Sequence, residues 1–284
     1  MLDDDQLELA TPEQQACDGA AAGRRSLRTD PGKPESRHLS DGTDLASPYV
    51  YKDRASKTLH FTIGEIQSRM LLDDPFALDL EYTRTMMGFL LFVPAPRRIV
   101  MIGLGGGSLA KFCHRHLPGA RIDVVEIHPG VIALRDEFHV PRDDERFQVI
   151  LGDGARYVGG HRDDCDVLMV DGFDNEGQPS RLCSSRFYDD ARAMLTPGGV
   201  LVANLHRGHP RHESRIGRIR RSFGRDVLVV DAHDGSNQIV FARETACPSN
   251  ADAGEPCAGL ADAGSRQLRT AFRRIRAAQR DLHS

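Results

Sequence analysis

The sequence predicts an α/β fold: a seven-stranded, mainly parallel sheet covered by helices and finished by an antiparallel hairpin. Three observations predict it. From residue 97 onward, short apolar strand patterns alternate with helical ones. Runs such as "IVMIG" and "VLMVD" are apolar on both faces, as central strands covered by helices must be. The last two strands, "DVLVV" and "QIVFA", are joined only by "DAHDGSN", and so short a loop permits only antiparallel neighbours.

The elements follow in order. Residues 1–47 are rich in Asp, Gly, Ala, Arg and Pro and lack apolar periodicity, so they read as a disordered leader. Residues 48–77 form a small β region. Within it 58–63 and 66–72 alternate around a Gly64-Glu65 turn, which predicts a β-hairpin. The main domain spans 78–244. Its first helix covers 78–92, where Leu80, Met86, Met87, Leu90 and Leu91 share a face and Pro94 and Pro96 end the run. Strands are expected at 99–102, 122–126, 147–151, 167–170 and 200–205. Helices are expected at 108–116, 129–138, 155–159, 185–195 and 213–223, before the final hairpin. That ending suits a methyltransferase-type sheet better than the dehydrogenase type. Residues 245–264 have the composition of a linker, and 265–284 form a basic helix. Its stripe of Leu268, Phe272 and Ile275 predicts packing on the domain in preference to nucleic acid.

Composition excludes several roles. The chain has 284 residues and a net charge of -4, which gives no electrostatic case for nucleic-acid or anionic-membrane partners. No run of 18 apolar residues occurs, so no membrane span is expected. The acidic opening "MLDDDQLELA" is neither a signal nor a transit peptide, and a cytoplasmic location is expected. Six cysteines form no C-x-x-C pair and are expected as free thiols. Twelve histidines show no metal-ligand spacing, so no metal site is assigned.

Chemistry concentrates at the strand ends. Gly103, Gly105 and Gly107 fit G-x-G-x-G between a strand and a helix. Glycine lets backbone approach a ligand, and the helix N-terminus beyond favours a negative group. The next strand ends in Glu126, which can accept hydrogen bonds from a ribose diol. The third ends in "LGDG", placing Asp153 where it can meet an adenine amino group, and the fourth ends in Asp171. Open α/β sheets bind ligands beyond these carboxyl ends. The competing reading is that such acids cap helices, and that Gly107 only permits close helix packing. NAD(P) would fit the glycine loop and Glu126 nearly as well, but the final hairpin argues against it.

The segments "VMIGLGGGSL", "VVEIHPGVI", "LGDGARYV", "DVLMVDGFDNEGQP" and "CSSRFYDDARAMLTPGGVLVANL" together resemble the spermidine synthase family, the polyamine aminopropyltransferases. The resemblance covers roughly residues 59–243. It implies an S-adenosylmethionine-dependent methyltransferase-like, Rossmann-like fold. It also implies S-adenosylmethionine or its decarboxylated form as co-substrate, and a small-molecule acceptor of the amine type. Carried over by position, Gly103, Gly105 and Gly107 would line the nucleoside site. Glu126 would hold the ribose, and Asp153 with Gly154 would meet the adenine. Asp171 and Asp174 match the family's catalytic D-x-x-D loop. Tyr82 and Ser108 fall on the substrate side. Relatives commonly form dimers or tetramers, so the resemblance allows a homo-oligomer.

The sequence also departs from the family. The usual G-G-G-D-G loop reads Gly105-Gly106-Gly107-Ser108-Leu109, and serine carries no charge to pair with an ammonium. The usual Tyr-His-Glu reads Tyr82-Thr83-Arg84, and Arg84 would repel a polyamine if it faced the pocket. The usual D-S-x-D-P-x-G-P reads "DGFDNEGQP" from Asp171. The nucleoside half is retained and the polyamine half eroded. The leading expectation is an adenosylsulfonium-dependent transferase of aminopropyl groups. The alternatives are a methyltransferase and a nucleoside-binding protein without turnover.

Overall fold

The computed structural model describes residues 47–62, 66–173, 177–233, 235–244, 260 and 262–283. All of the leader but Ser47 therefore lies outside the described residues, as do Asp174, the Gly64-Glu65 turn and most of the segment read as a linker. Alternation between residues 49 and 71 produces a three-stranded antiparallel sheet of β1 (Tyr49–Lys52), β2 (Ser56–His60) and β3 (Ser68–Leu71). The expected two-stranded hairpin thus gains β1, whose mostly exposed "YVYK" lacks the half-buried alternation that marks a strand in sequence.

Seven further strands make the main sheet: β4 (Arg98–Ile102), β5 (Arg121–Glu126), β6 (Phe147–Leu151), β7 (Cys165–Val170), β8 (Leu195–His206), β9 (Val227–Asp231) and β10 (Asn237–Ala242). Their order is β6-β5-β4-β7-β8-β10-β9. The first five run parallel, whereas β10 pairs antiparallel with both β8 and β9. The short "DAHDGSN" connection made this ending necessary. Apolar residues on both faces of β4 are explained by the two layers around it. Ile99 and Met101 join a core with Phe112 and Cys113, while Val100 and Ile102 join a separate core with Phe187 and Tyr188.

The helices are α1 (Glu81–Met86), α2 (Ser108–His116), α3 (Pro129–Ala133), α4 (Gly154–Gly159), α5 (Ser185–Met194), α6 (His212–Phe223) and α7 (Asp262–His283). The helix expected over 78–92 begins at Glu81 and tightens to a 3-10 helix at Met87–Leu91. The one expected over 129–138 likewise splits into α3 and a 3-10 turn at Asp136–Phe138. Helix α7 starts at Asp262, three residues before the expected start at 265. It buries Leu268, Ala271, Phe272 and Ile275, and it packs on α1, the following 3-10 helix and β9. A Cβ on Gly88 would lie 2.2 Å from Ile275 Cδ1 and 2.9 Å from Phe241 Cζ, so a larger residue there would displace these side chains.

Among the described residues, no helix is long and apolar enough to cross a membrane, and no cluster of His, Cys, Asp and Glu could hold a metal ion. Cys113, Cys165 and Cys183 are buried free thiols. The other three cysteines lie outside the described residues.

One buried charge marks α2. Lys111 is 1% exposed, and its Nζ donates to the Phe138 carbonyl at 2.8 Å. Burial pushes its pKa down to about 8. Because the unfolded chain binds this proton up to the ordinary value near 10.5, folding stability from this group rises as pH rises from about 8 to 10.5. The gain approaches ~3 kcal/mol at 1.36 kcal/mol per unit. Lys111→Met should be more stable than the parent chain at pH 7, with the advantage shrinking by pH 10. Urea unfolding at both pH values checks this; an advantage that does not depend on pH would contradict it.

Candidate active site

The order of the main sheet places five strand ends side by side. Register aligns Ile102 with Val125 and Val170, Glu126 with Leu151, and Val170 with Ala203. The next positions along one edge are therefore Leu151 and Gly152, Glu126, Gly103, Asp171 and Asn204. Four interstrand spacings of about 4.8 Å make this row about 19 Å long. The connections diverge between β4 and β7, which is where open α/β sheets bind ligands.

Backbone geometry explains all three predicted loop glycines, since each has a positive φ. Gly103 has φ +99°, and a Cβ there would lie 2.5 Å from the Asp171 carbonyl. Gly107 has φ +68° and caps α2, and its Cβ would lie 2.5 Å from Val140 Cγ2. Both positions require glycine by conformation and by space. Gly105, between them, has φ +53° and is favoured by conformation alone, since a Cβ there would meet nothing closer than 3.7 Å. Gly106 comes so close to Ser68 of β3 that a Cβ would lie 2.6 Å from its Oγ. The small N-terminal sheet thus packs directly on the glycine loop, an arrangement no local sequence pattern indicated.

Glu126 is 7% exposed. Its Oε2 accepts the Leu104 N–H and its Oε1 the His128 N–H, both at 2.8 Å. One carboxylate therefore ties the glycine loop to the turn after β5. Each oxygen retains a second lone pair that a hydroxyl can use. Beside it, Ile127 and Leu151 are 52% and 59% exposed. These two apolar side chains stand at adjacent strand ends, where a flat base can cover them. Sequence reading missed them because isolated exposed apolar residues are ordinary.

Asp153 caps α4: its Oδ1 accepts the Arg156 N–H at 3.0 Å, and its Oδ2 pairs with Arg181 Nη1 at 3.0 Å. Burial opposes its ionisation, but the Arg156 N–H and the Arg181 side chain outweigh this and hold its pKa below the ordinary value. Gly154 packs against Ile102, leaving no room for a Cβ. The capping reading of Asp153 and the packing reading of Gly107 are thus both realised in the fold.

Asp171 follows β7. Its Oδ1 accepts Asn204 Nδ2 at 2.8 Å, and the Tyr82 hydroxyl also donates to its carboxylate. Burial pushes its pKa up to about 6, with the Asn204 and Tyr82 hydrogen bonds pulling the other way. Two residues singled out separately in the sequence, Tyr82 and Asp171, are thereby in contact. Asn204 was not singled out. It is 2% exposed, and its Oδ1 has no hydrogen-bond partner in the structure. Its signal was a lone amide in the apolar strand "VLVANL".

Ser108 is half-buried at the first position of α2. Arg84 is tied down: it donates to the Leu78 carbonyl at 2.6 Å and pairs with Glu81 at 2.8 Å. The condition under which it would repel a polyamine is a pocket-facing guanidinium, and these bonds engage it within the 78–84 segment.

The sheet order, with five parallel strands finished by an antiparallel pair, defines a methyltransferase-like α/β fold. Residues 79–216 match the spermine/spermidine synthase domain model. Polyamine aminopropyltransferases from Neisseria meningitidis and Chromobacterium violaceum are 40% and 41% identical to this chain, each covering 66% of it and 72% of the relative. The chain belongs to the spermine/spermidine synthase family. Among solved structures, a probable spermidine synthase from Corynebacterium glutamicum shares the fold, with a TM-score of 0.63 and 21% identity over 80% of this chain and 88% of that one. Human methyltransferase-like protein 13 in complex with SAH gives a TM-score of 0.53 and 25% identity over 69% of this chain and 91% of that one.

Gly103→Ala forces a side chain against the Asp171 backbone in a disfavoured conformation. A stability loss of about 2–4 kcal/mol is expected in urea unfolding. Gly119→Ala, where a Cβ meets nothing within 4 Å, serves as the control and should cost under about 1 kcal/mol.

Proposed function

We propose that this chain transfers an aminopropyl group from decarboxylated S-adenosylmethionine to a small amine, as its aminopropyltransferase relatives are named for doing. The observation that carries the reading is the half-buried Asp171 carboxyl, held by Tyr82 and Asn204 one strand from the glycine loop. In this reading the adenosine lies along the β4–β6 ends. Glu126 accepts the ribose hydroxyls, Ile127 and Leu151 cover the base, and Asp153 with Gly154 borders it. Gly103, Gly105 and Gly107 bring the backbone close to the donor.

The reaction needs a free amine lone pair aligned with the carbon beside the sulfonium. The amine nitrogen forms the new C–N bond, and the C–S bond breaks with its electron pair passing to sulfur, leaving methylthioadenosine. The amine must lose a proton. Asp171, with a pKa of about 6, is ionised near neutral pH; it can hold an ammonium and accept a proton as the bond forms. Asn204 Oδ1 offers an acceptor for an amine N–H. Asp174, three residues on, is the candidate second carboxylate. With Ser108 in place of an aspartate, fewer charges hold the acceptor, so a short amine is favoured over a long polycation.

A second reading, methyl transfer from S-adenosylmethionine, rests on Ser108. An uncharged residue at the start of α2 leaves that N-terminus open to the methionine carboxylate. Calorimetry with both donors separates the two. Stronger binding of the decarboxylated donor, followed by mass-spectrometric detection of an aminopropylated diamine, is expected. Preference for S-adenosylmethionine would overturn the first reading in favour of the second.

Two substitutions probe the assigned roles. Glu126→Ala should abolish donor binding. Asp171→Asn should retain donor binding and lower turnover by about 10²–10⁴-fold; full turnover would refute its role. The pH profile supplies an independent measure. Transfer should fall as pH drops through about 6, where Asp171 takes up a proton. Asn204→Ala removes a hydrogen bond that lowers this pKa, so the acid limb of kcat/KM should move to higher pH.

A further inference from the structure

Helix α7 has a second face that neither the fold nor the transfer reaction uses. At 100° per residue, the buried Gly264, Leu268, Ala271 and Ile275 fall within about 60° of one another. Arg266, Arg269, Arg273, Arg276 and Arg280 are all exposed, and they fall within about 80° on the opposite side. Their spacing of three and four residues alternates along 14 residues, about 21 Å of helix. Arg266, Arg269, Arg273 and Arg276 form no ion pair with any described acidic residue. Arg274 is different: it sits off this stripe, and its Nη2 donates to Thr85 Oγ1 at 2.6 Å and lies 3.6 Å from Glu81.

The concentration of charge is local. The whole chain carries -4, whereas α7 holds six arginines against two aspartates and has no lysine. Holding five guanidinium groups in one row costs self-repulsion at low salt. Fold stability does not require it, because the opposite face supplies the packing. Guanidinium groups suit phosphate, which they meet through paired N–H donors.

We propose that the outer face of α7 binds double-stranded nucleic acid through its phosphates, without reading sequence. Two observations favour this partner. The apolar face of α7 is already buried against α1 and β9, so the helix has no free apolar side to insert into a bilayer. The stripe also holds no exposed aromatic residue, since Phe272 is buried, and stacking is what single strands require. The expectation from net charge, that nucleic acid is not a partner, averages over the chain and does not describe this helix.

The test uses the full chain with a fluorescein-labelled 20-base-pair DNA duplex of arbitrary sequence, read by anisotropy between 50 and 200 mM salt. Four phosphate contacts, from Arg266, Arg269, Arg273 and Arg276, predict a slope of log K against log salt near -3.6, at about -0.9 per contact. The triple variant Arg269→Gln, Arg273→Gln and Arg276→Gln should reduce the slope to about -1 and weaken binding more than about tenfold at 100 mM salt. The corresponding triple change to lysine should keep most of the binding. Donor binding and melting temperature should stay unchanged in both variants, since these side chains face away from the packed core. No binding to the duplex at 50 mM salt would overturn the proposal. So would equal binding by the glutamine variant, or binding only to single-stranded DNA or to phosphatidylserine vesicles.

Discussion

The end of β5 carries a carboxylate that the surrounding loops cannot do without. Glu126 accepts two backbone N–H groups, from Leu104 in the glycine loop and from His128 in the following turn. Both donors belong to segments that have just left a strand and have no ladder partner. A charged acceptor is worth more than a neutral one in such a place. Once these loops are fixed, Gly103 can lie against the Asp171 carbonyl and Gly107 can start α2 against Val140. Ser68 then closes over the loop from the small sheet. The acid proposed to hold the ribose is therefore also the acid that fixes the loops around it.

A second constraint comes from the parallel register of β7 and β8. Val170 opposite Ala203 puts Asp171 beside Asn204. An amide there, instead of a cation, tempers the cost of burying the carboxyl without fixing its charge. The result is a carboxyl whose pKa lies at about 6, within reach of both protonation states near neutral pH. Of the departures from the family pattern, Arg84 is accounted for by its bonds to Leu78 and Glu81. Ser108 remains, half-buried and uncharged at the head of α2.

Much of this was legible in the sequence because the signals were strong and local. All-apolar strands announced a sheet covered on both sides, and a seven-residue connection forced the antiparallel ending. The glycine loop and the acids at successive strand ends pointed to one edge. What escaped was non-local. Strand β1 is mostly exposed and has no alternation to betray it. The helix after residue 78 tightens around Gly88, where Ile275 of a distant helix packs. Asn204 looks like an isolated amide until the register sets it beside Asp171. The acidic strand ends were ambiguous in kind: Asp153 reads equally well as a cap or a ligand, and in the fold its cap is made.

Helix α7 has a bearing on when the site can exist at all. Tyr82 reaches Asp171 from α1, one of the first elements described, and α1 is braced by α7, the last. Gln267 Oε1 accepts the Leu78 N–H at 2.9 Å, Arg274 reaches Thr85 and Glu81, and Ile275 fills the space beside Gly88. Synthesis proceeds from the amino end, and earlier segments fold as they emerge. The sheet and its glycine loop can form while the chain is still being made. The brace behind Tyr82 is translated only afterwards, so the sheet can form before α1 is held in place beside Asp171.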